Sequence, residues 1–198
     1  MTTRDEIIRA ALERFARFGY LGSSIQQIAD DVGTSKSSVL YHFDSKEALL
    51  EAAMQPTMDA LTELIEALPE LHDDKVAAAP GLVTRFVDTL MAHSAAVSIF
   101  VTQRGALREV PAIVRGNAIV DAIASTLVLE APTTRTLTRL SIGLAGVAFI
   151  LADASETAHE HPSPEEMREI FIETLLELCM PDALPAAAGS TRTEGEDA

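Results

Sequence analysis

Apolar residues recur at helical spacing almost from the start of this chain. Ile8, Leu12 and Phe15 share one face of a helix over residues 5–18, with Ile7 and Ala11 beside them. Gly19 ends that run as a left-handed cap would. Ser23 and Ser24 offer the N-cap of a short helix, Ile25 to Asp31, with Ile28 and Ala29 facing inward. Val32-Gly33-Thr34 is a turn. Ser35 caps a third helix, Lys36 to His42, in which Val39, Leu40 and Phe43 are the candidate anchors. Asp44-Ser45 caps a long fourth helix. In it Met54, Met58, Leu61, Ile65 and Leu68 alternate spacings of four and three, a seam that faces a partner. Pro56 inside it removes a backbone donor and predicts a kink.

A polar break over residues 69–80 precedes more helical patterns. Leu82, Val83, Phe86, Val87, Leu90 and Met91 line one, and Val97 to Val110 forms another, with Ile99, Phe100 and Leu107. Pro111 opens a helix carrying Ile113, Ile119, Val120, Ile123 and Leu127. Pro132-Thr133 opens one to about Ala154, and Pro162 to Pro164 opens the last, ending near Met180. The expectation is nine helices and no strand, an all-α fold, followed by a disordered tail over residues 181–198.

Charge changes this picture only through its distribution. The chain of 198 residues has a net charge of −15. Residues 1–50 hold six Lys/Arg against seven Asp/Glu, so the acidity lies almost wholly beyond them. An acidic body would repel DNA from every face but one end. Cys179 stands alone, which excludes an internal disulfide and reads as a small core residue. The first residues lack the apolar stretch of a signal peptide. The uncharged run Leu140–Ala152 falls short of the roughly 20 residues that span a bilayer. The expectation is a cytoplasmic protein with no membrane partner.

Two short helices joined at Gly33, with a preceding helix to pack across them, have the pattern of a helix-turn-helix. Ser and Thr hydroxyls can meet base edges or phosphates, and Lys36 and Lys46 can neutralise phosphates. The run from Ile28 to Leu50, IADDVGTSKSSVLYHFDSKEALL, resembles the TetR (tetracycline repressor) family, as do Ala10-Ala11-Leu12, Phe15, Gly19-Tyr20 and Ser23-Ser24. The resemblance covers about residues 5–50. It implies a helix-turn-helix DNA-binding domain over residues 1–47 and a helical ligand-binding and dimerisation domain over 48–180. Carried over by position, its DNA contacts fall on Ser24, Gln26, Ser35, Lys36, Ser37, Ser38, Tyr41, His42 and Lys46. One departure stands out. The family usually has a tyrosine where this chain has Leu40, so Tyr41 or His42 must supply that phosphate contact, or it is missing.

The resemblance further implies double-stranded DNA with a roughly palindromic operator as partner. It also implies a homodimer through the last two helices and a repressor released by a small, largely apolar effector. The dimer helices are apolar on more than one face, with Leu137, Leu140, Leu144, Val147 and Leu151 on one stripe and Ile142, Ala145, Gly146 and Phe149 on another. Candidate effector contacts are Met58, Phe86, Leu90, His93, Phe100, Gln103, Asp121 and Phe149, where polar residues interrupt apolar faces. Two other readings stay open. Glu156, His159 and His161 have metal-like spacing, but di-iron bundles need a second such motif and two more glutamates. A helical interaction protein without a ligand gains from Leu40 and the acidity. No phosphate loop, nucleophile elbow or paired catalytic carboxylates point to an enzyme, and no cofactor or metal is called for.

Overall fold

The computed structural model describes residues 3–66, 75–127, 134–153 and 162–179. Among them the chain forms helices only: α1 (Thr3–Phe18), α2 (Ile25–Val32), α3 (Lys36–His42), α4 (Lys46–Glu66), α5 (Lys75–Ala92), α6 (Ser94–Gln103), α7 (Pro111–Leu127), α8 (Thr134–Asp153) and α9 (Pro164–Cys179). The Glu156, His159 and His161 cluster, Leu68 and the 181–198 tail lie outside the described residues, as does the side chain of Cys179.

The short helices begin and end where the local chemistry dictates. Gly19 and Gly33 have φ of 76° and 73°, a region that costs a residue with a Cβ about 1 kcal/mol or more. Ser24 caps α2 in a reciprocal box with Gln27, and the Ser35 hydroxyl accepts the Ser38 N–H. The inner face of α1 is Ile7, Ala11 and Phe15, each fully buried, while Ile8 and Leu12 flank it half-buried. The sequence expectation had that face turned by one residue. Two stretches also shift. α5 starts at Lys75, inside the expected break, and carries Pro80 in its second turn. α6 runs from Ser94 to Gln103 rather than from Val97 to Val110. Beyond it the chain turns, with Leu107 and Val110 still buried, so their spacing imitated a helix that Gly105 helps to end. α4 continues through Pro56, which lies on its exposed face.

One apolar cluster joins α1, α2 and α3, which form the head, to the near end of the remaining helices, the body. It holds Ile7, Phe15, Ile28, Val39, Leu49, Leu50, Met54 and Met58, together with Ile99, Leu107 and Ile113. A second cluster, including Leu61, Val83, Phe86, Leu90, Val97, Val147, Phe171 and Leu175, fills the far end. α1 packs on α4 and α6, α7 packs on α4, and α8 packs on both α6 and α9. The head therefore rests on the same helices that wall the body.

Two surface ion pairs stitch elements together. The Arg14 guanidinium grips both oxygens of Asp31 between α1 and α2, and Arg168 grips Asp88 between α9 and α5. Both hold their aspartate carboxyl below its ordinary value, chiefly through the hydrogen bond. A depressed carboxyl pKa contributes stability above the unfolded value of about 3.9, and that contribution is lost as pH falls through the folded value. The thermal midpoint is therefore expected to fall below about pH 4 and to be insensitive to these pairs from pH 5 to 8. The double variant Asp31→Asn/Asp88→Asn should show a shallower acid-side fall. An unchanged profile would remove the pairs from the account.

Candidate nucleic-acid interface and internal cavity

α3 is held from beneath and presented from above. Val39 is fully buried and Phe43 nearly so, four residues apart on the inner face. That leaves Lys36 and Leu40 on one outer stripe and Ser37 and Tyr41 on the next, all exposed. Leu40 was expected as an anchor and is instead 38% exposed. With Val39 and Phe43 filling the inner face of a two-turn helix, the adjacent position turns outward. Tyr41 is 85% exposed, its ring meeting the half-buried His42 ring edge-on at 5.3 Å.

The remaining sequence-predicted positions divide by what already occupies them. Ser35 caps α3, and its hydroxyl lies 2.9 Å from that of Ser37. Ser38 is half-buried and offers its N–H to Ser35. Ser24 is exposed, but its hydroxyl bonds to Gln27. Gln26 is exposed and donates to Asp30 at 2.8 Å. Lys36 makes no side-chain ion pair or hydrogen bond among the described residues. Lys46 is different. It is half-buried, its ammonium donates to the Tyr20 and Ser23 carbonyls at 2.8 and 2.9 Å, and it lies 4.2 Å from the centre of the Tyr20 ring. Burial pushes its pKa below the ordinary lysine value. The sequence reading missed Arg4, whose guanidinium stacks 5.1 Å from the Phe43 ring and sets a cation beside the end of α3. A lone arginine at a helix start gives no sign of that neighbour.

In the body, α4, α5, α6, α7 and α8 enclose a cavity of about 460 Å³. Four of the eight expected effector contacts line it: Met58, Phe86, Leu90 and Phe100. His93 stands behind the wall, its Nδ1 3.1 Å from the hydroxyl of Thr57, which does line the cavity. Gln103 faces away and bonds to α1. Asp121 is exposed and outside the lining, and Phe149 is 59% exposed without lining it. The reading from sequence missed Thr57, Arg104 and Ser141, which bring the lining its polar side chains. It also missed Gly116, where a Cβ would lie 2.6 Å from the Phe100 ring. Only the absence of a side chain lets that ring lie against α7.

Residues 7–53 match the family model described as bacterial regulatory proteins, tetR family. That stretch runs from within α1 through both capped short helices and into α4. Over those residues the chain is similar to the TetR family. Two curated transcriptional regulators are similar over stretches of 67 and 62 residues. The HTH-type transcriptional regulator RutR of Escherichia coli (strain K12) is 41% identical over 67 residues, 34% of this chain and 32% of its own length. The biofilm operon icaADBC negative transcriptional regulator IcaR of Staphylococcus aureus (strain Newman) is 37% identical over 62 residues, 31% of this chain and 33% of its own length. The matched stretch is thus about a third of each relative. The crystal structure of a TetR-family transcriptional regulator from Bordetella parapertussis 12822 superposes with a TM-score of 0.70 at 20% identity, over 88% of this chain and 93% of its own. The fold of that regulator is therefore shared over most of this chain. Among the described residues no helix is long and apolar enough to cross a membrane, and no His, Cys, Asp or Glu cluster could hold a metal ion.

Proposed function

We propose that this chain is a dimeric, sequence-specific DNA-binding repressor, released from its operator by a small molecule held in the body cavity. The observation that carries this reading is the outer surface of α3. It presents Lys36, Ser37, Leu40 and Tyr41 on a buttressed helix whose own polar needs are met within the head. In a major groove Lys36 and Tyr41 would take phosphates, Ser37 a base edge or phosphate, and the exposed Leu40 the apolar edge of a thymine methyl. Arg4 would add a phosphate contact, and Tyr41 would supply the one that Leu40 does not. Residues 1–47 would act as the reading head and 48–180 as the effector and dimer body, working in the cytoplasm beside the chromosome.

The exposed apolar residues Ile142, Phe149 and Ile150 on α8 and Ile170 on α9 support a dimer. Gly146 lies on the same side as Ile142 and Phe149, with nothing near the position of its absent Cβ. Gly143 instead faces Leu175 and Leu178 of its own chain. Two-fold pairing of α8 and α9 would set two heads one helical turn apart and demand a roughly palindromic operator. A ligand that binds better to a body holding the heads at the wrong spacing weakens DNA binding by linkage alone.

The direct test is fluorescence anisotropy on the DNA upstream of the protein's own coding sequence, across a salt series. Affinity should be sequence-selective and fall steeply as salt rises. Absence of selective binding at low salt would falsify the reading. The cavity has a separate check. Gly116→Ala gains helix propensity of about 1 kcal/mol and loses about 1–3 kcal/mol to overpacking, so the thermal midpoint should fall by no more than about 8 °C and the chain should stay folded. The displaced Phe100 ring should nevertheless cut binding of the dye anilinonaphthalene sulfonate by about tenfold. Unaltered dye binding would take Phe100 out of the site.

A further inference from the structure

We propose that the cavity selects an amphipathic anion, a small molecule with an apolar body and one carboxylate, seated with its acid on Arg104. This rests on the reading of the cavity as the effector site and names the chemistry that fills it. The lining is almost wholly aliphatic and aromatic, and its polar side chains are Thr57, Arg104 and Ser141. Thr57 is buried and its hydroxyl is shared with His93 Nδ1, so it has little left to offer a ligand. Arg104 and Ser141 are both exposed, which puts the charge and the hydroxyl where the cavity opens to water.

Arg104 immediately follows α6, and its N–H closes the last turn onto the Phe100 carbonyl. Its guanidinium makes no ion pair or hydrogen bond among the described residues. By contrast Arg14, Arg115 and Arg168 each hold a carboxylate. No Asp or Glu lines the cavity, in a chain with 30 acids to 15 bases. A guanidinium presents paired N–H donors that match a carboxylate edge to edge. A cationic ligand would meet Arg104 with no acid to offset it, and a neutral one would gain nothing from it. The field of a −15 chain repels anions in general, so a local cation is what would admit one here. The volume of about 460 Å³ lies within the range that encloses small organic ligands.

The test is isothermal titration calorimetry of the full chain with three probes sharing one apolar tail: decanoate, decanol and decyltrimethylammonium, each below its micelle-forming concentration. Decanoate should bind about tenfold tighter than decanol, and the ammonium should bind weakest. Arg104→Gln should lose the preference for decanoate over decanol. Arg104 is exposed, so the fold should survive, and an unchanged thermal midpoint verifies it. Ala148→Phe, which narrows the cavity, should weaken decanoate and decanol alike and so separate the cavity from surface binding. Equal affinities for the three probes, or a preference that persists in Arg104→Gln, overturn the anion and leave the cavity standing. If no probe binds, or if Ala148→Phe changes nothing, the effector-site reading falls as well.

Discussion

Lys36→Ala is expected to weaken DNA binding on every sequence and to flatten its salt dependence, whereas Lys46→Met is expected to destabilise the fold and leave the salt dependence alone. Both lysines fit a phosphate-contacting role when only the sequence is considered, and their surroundings separate them. Lys36 stands exposed at the first position of α3. Each phosphate neutralised contributes about 0.9 to the slope of log affinity against log salt, and a dimer uses each contact twice. The variant should therefore lose about two from the slope and at least about tenfold in affinity near physiological salt. Lys46 has its ammonium on the Tyr20 and Ser23 carbonyls and against the Tyr20 ring. Removing it takes a charged donor from both carbonyls at the junction of α1, α2 and α4, and leaves the Tyr20 carbonyl only the Ser23 N–H at 3.2 Å. A charged hydrogen bond contributes about 1.5–3 kcal/mol, reduced here by partial exposure to about 1–2 kcal/mol. For a chain of this length that lowers the melting midpoint by about 2–8 °C. Anisotropy titrations between low and moderate salt, with calorimetric melting of each variant, decide the matter. The reverse pattern, with Lys46 controlling the slope, would mean that DNA pulls its side chain out of the head.

The head is legible in the sequence because its determinants are local. Gly19, Ser24, Gly33 and Ser35 each act on groups within five residues, and each sits where its chemistry requires. Once Ser35 is fixed as the cap, the period of the helix settles that Val39 and Phe43 point inward and Leu40 outward. Counting Leu40 as an anchor followed hydrophobicity where geometry should have ruled. The body is less legible because helical period reports burial and not continuity. Leu107 and Val110 are buried after α6 has ended, and Gly105, the one helix-weakening residue between, is too weak a signal on its own to mark the break. The cavity was half visible. Met58, Phe86, Leu90 and Phe100 were singled out as apolar or aromatic faces, and they line it. Arg104 resembled an ordinary surface arginine until α7 and α8 came beside it. Gln103 was picked out as a polar break in an apolar face, and the structure gives that break a different use.

Gln103→Ala is expected to loosen the head from the body. The side-chain amide of Gln103 donates to the Phe15 carbonyl at 2.9 Å and accepts the Tyr20 N–H at 2.6 Å. Phe15 is among the last four residues of α1, whose carbonyls find no partner within their own helix. The Tyr20 N–H follows the left-handed turn at Gly19. One side chain from the end of α6 thus closes the end of α1, across more than 80 residues of sequence. Alanine leaves both backbone groups to whatever water reaches a half-buried junction, at a cost of about 1–3 kcal/mol, or about 2–12 °C in melting midpoint. Amide hydrogen exchange at Tyr20 should accelerate, because its acceptor is gone. Protection of the α9 core around Leu175 should change only as much as global stability does. The same position makes Gln103 a mechanical link. It is bonded to the head on one side and followed by Arg104 at the cavity on the other, so a ligand that moves the end of α6 must either carry α1 with it or break two hydrogen bonds. Linkage then predicts that Gln103→Ala binds operator DNA while losing most of the change in DNA affinity that saturating decanoate produces, a coupling typically worth about 5–150-fold. A variant that keeps the full response would show that the signal reaches the head through α4 instead.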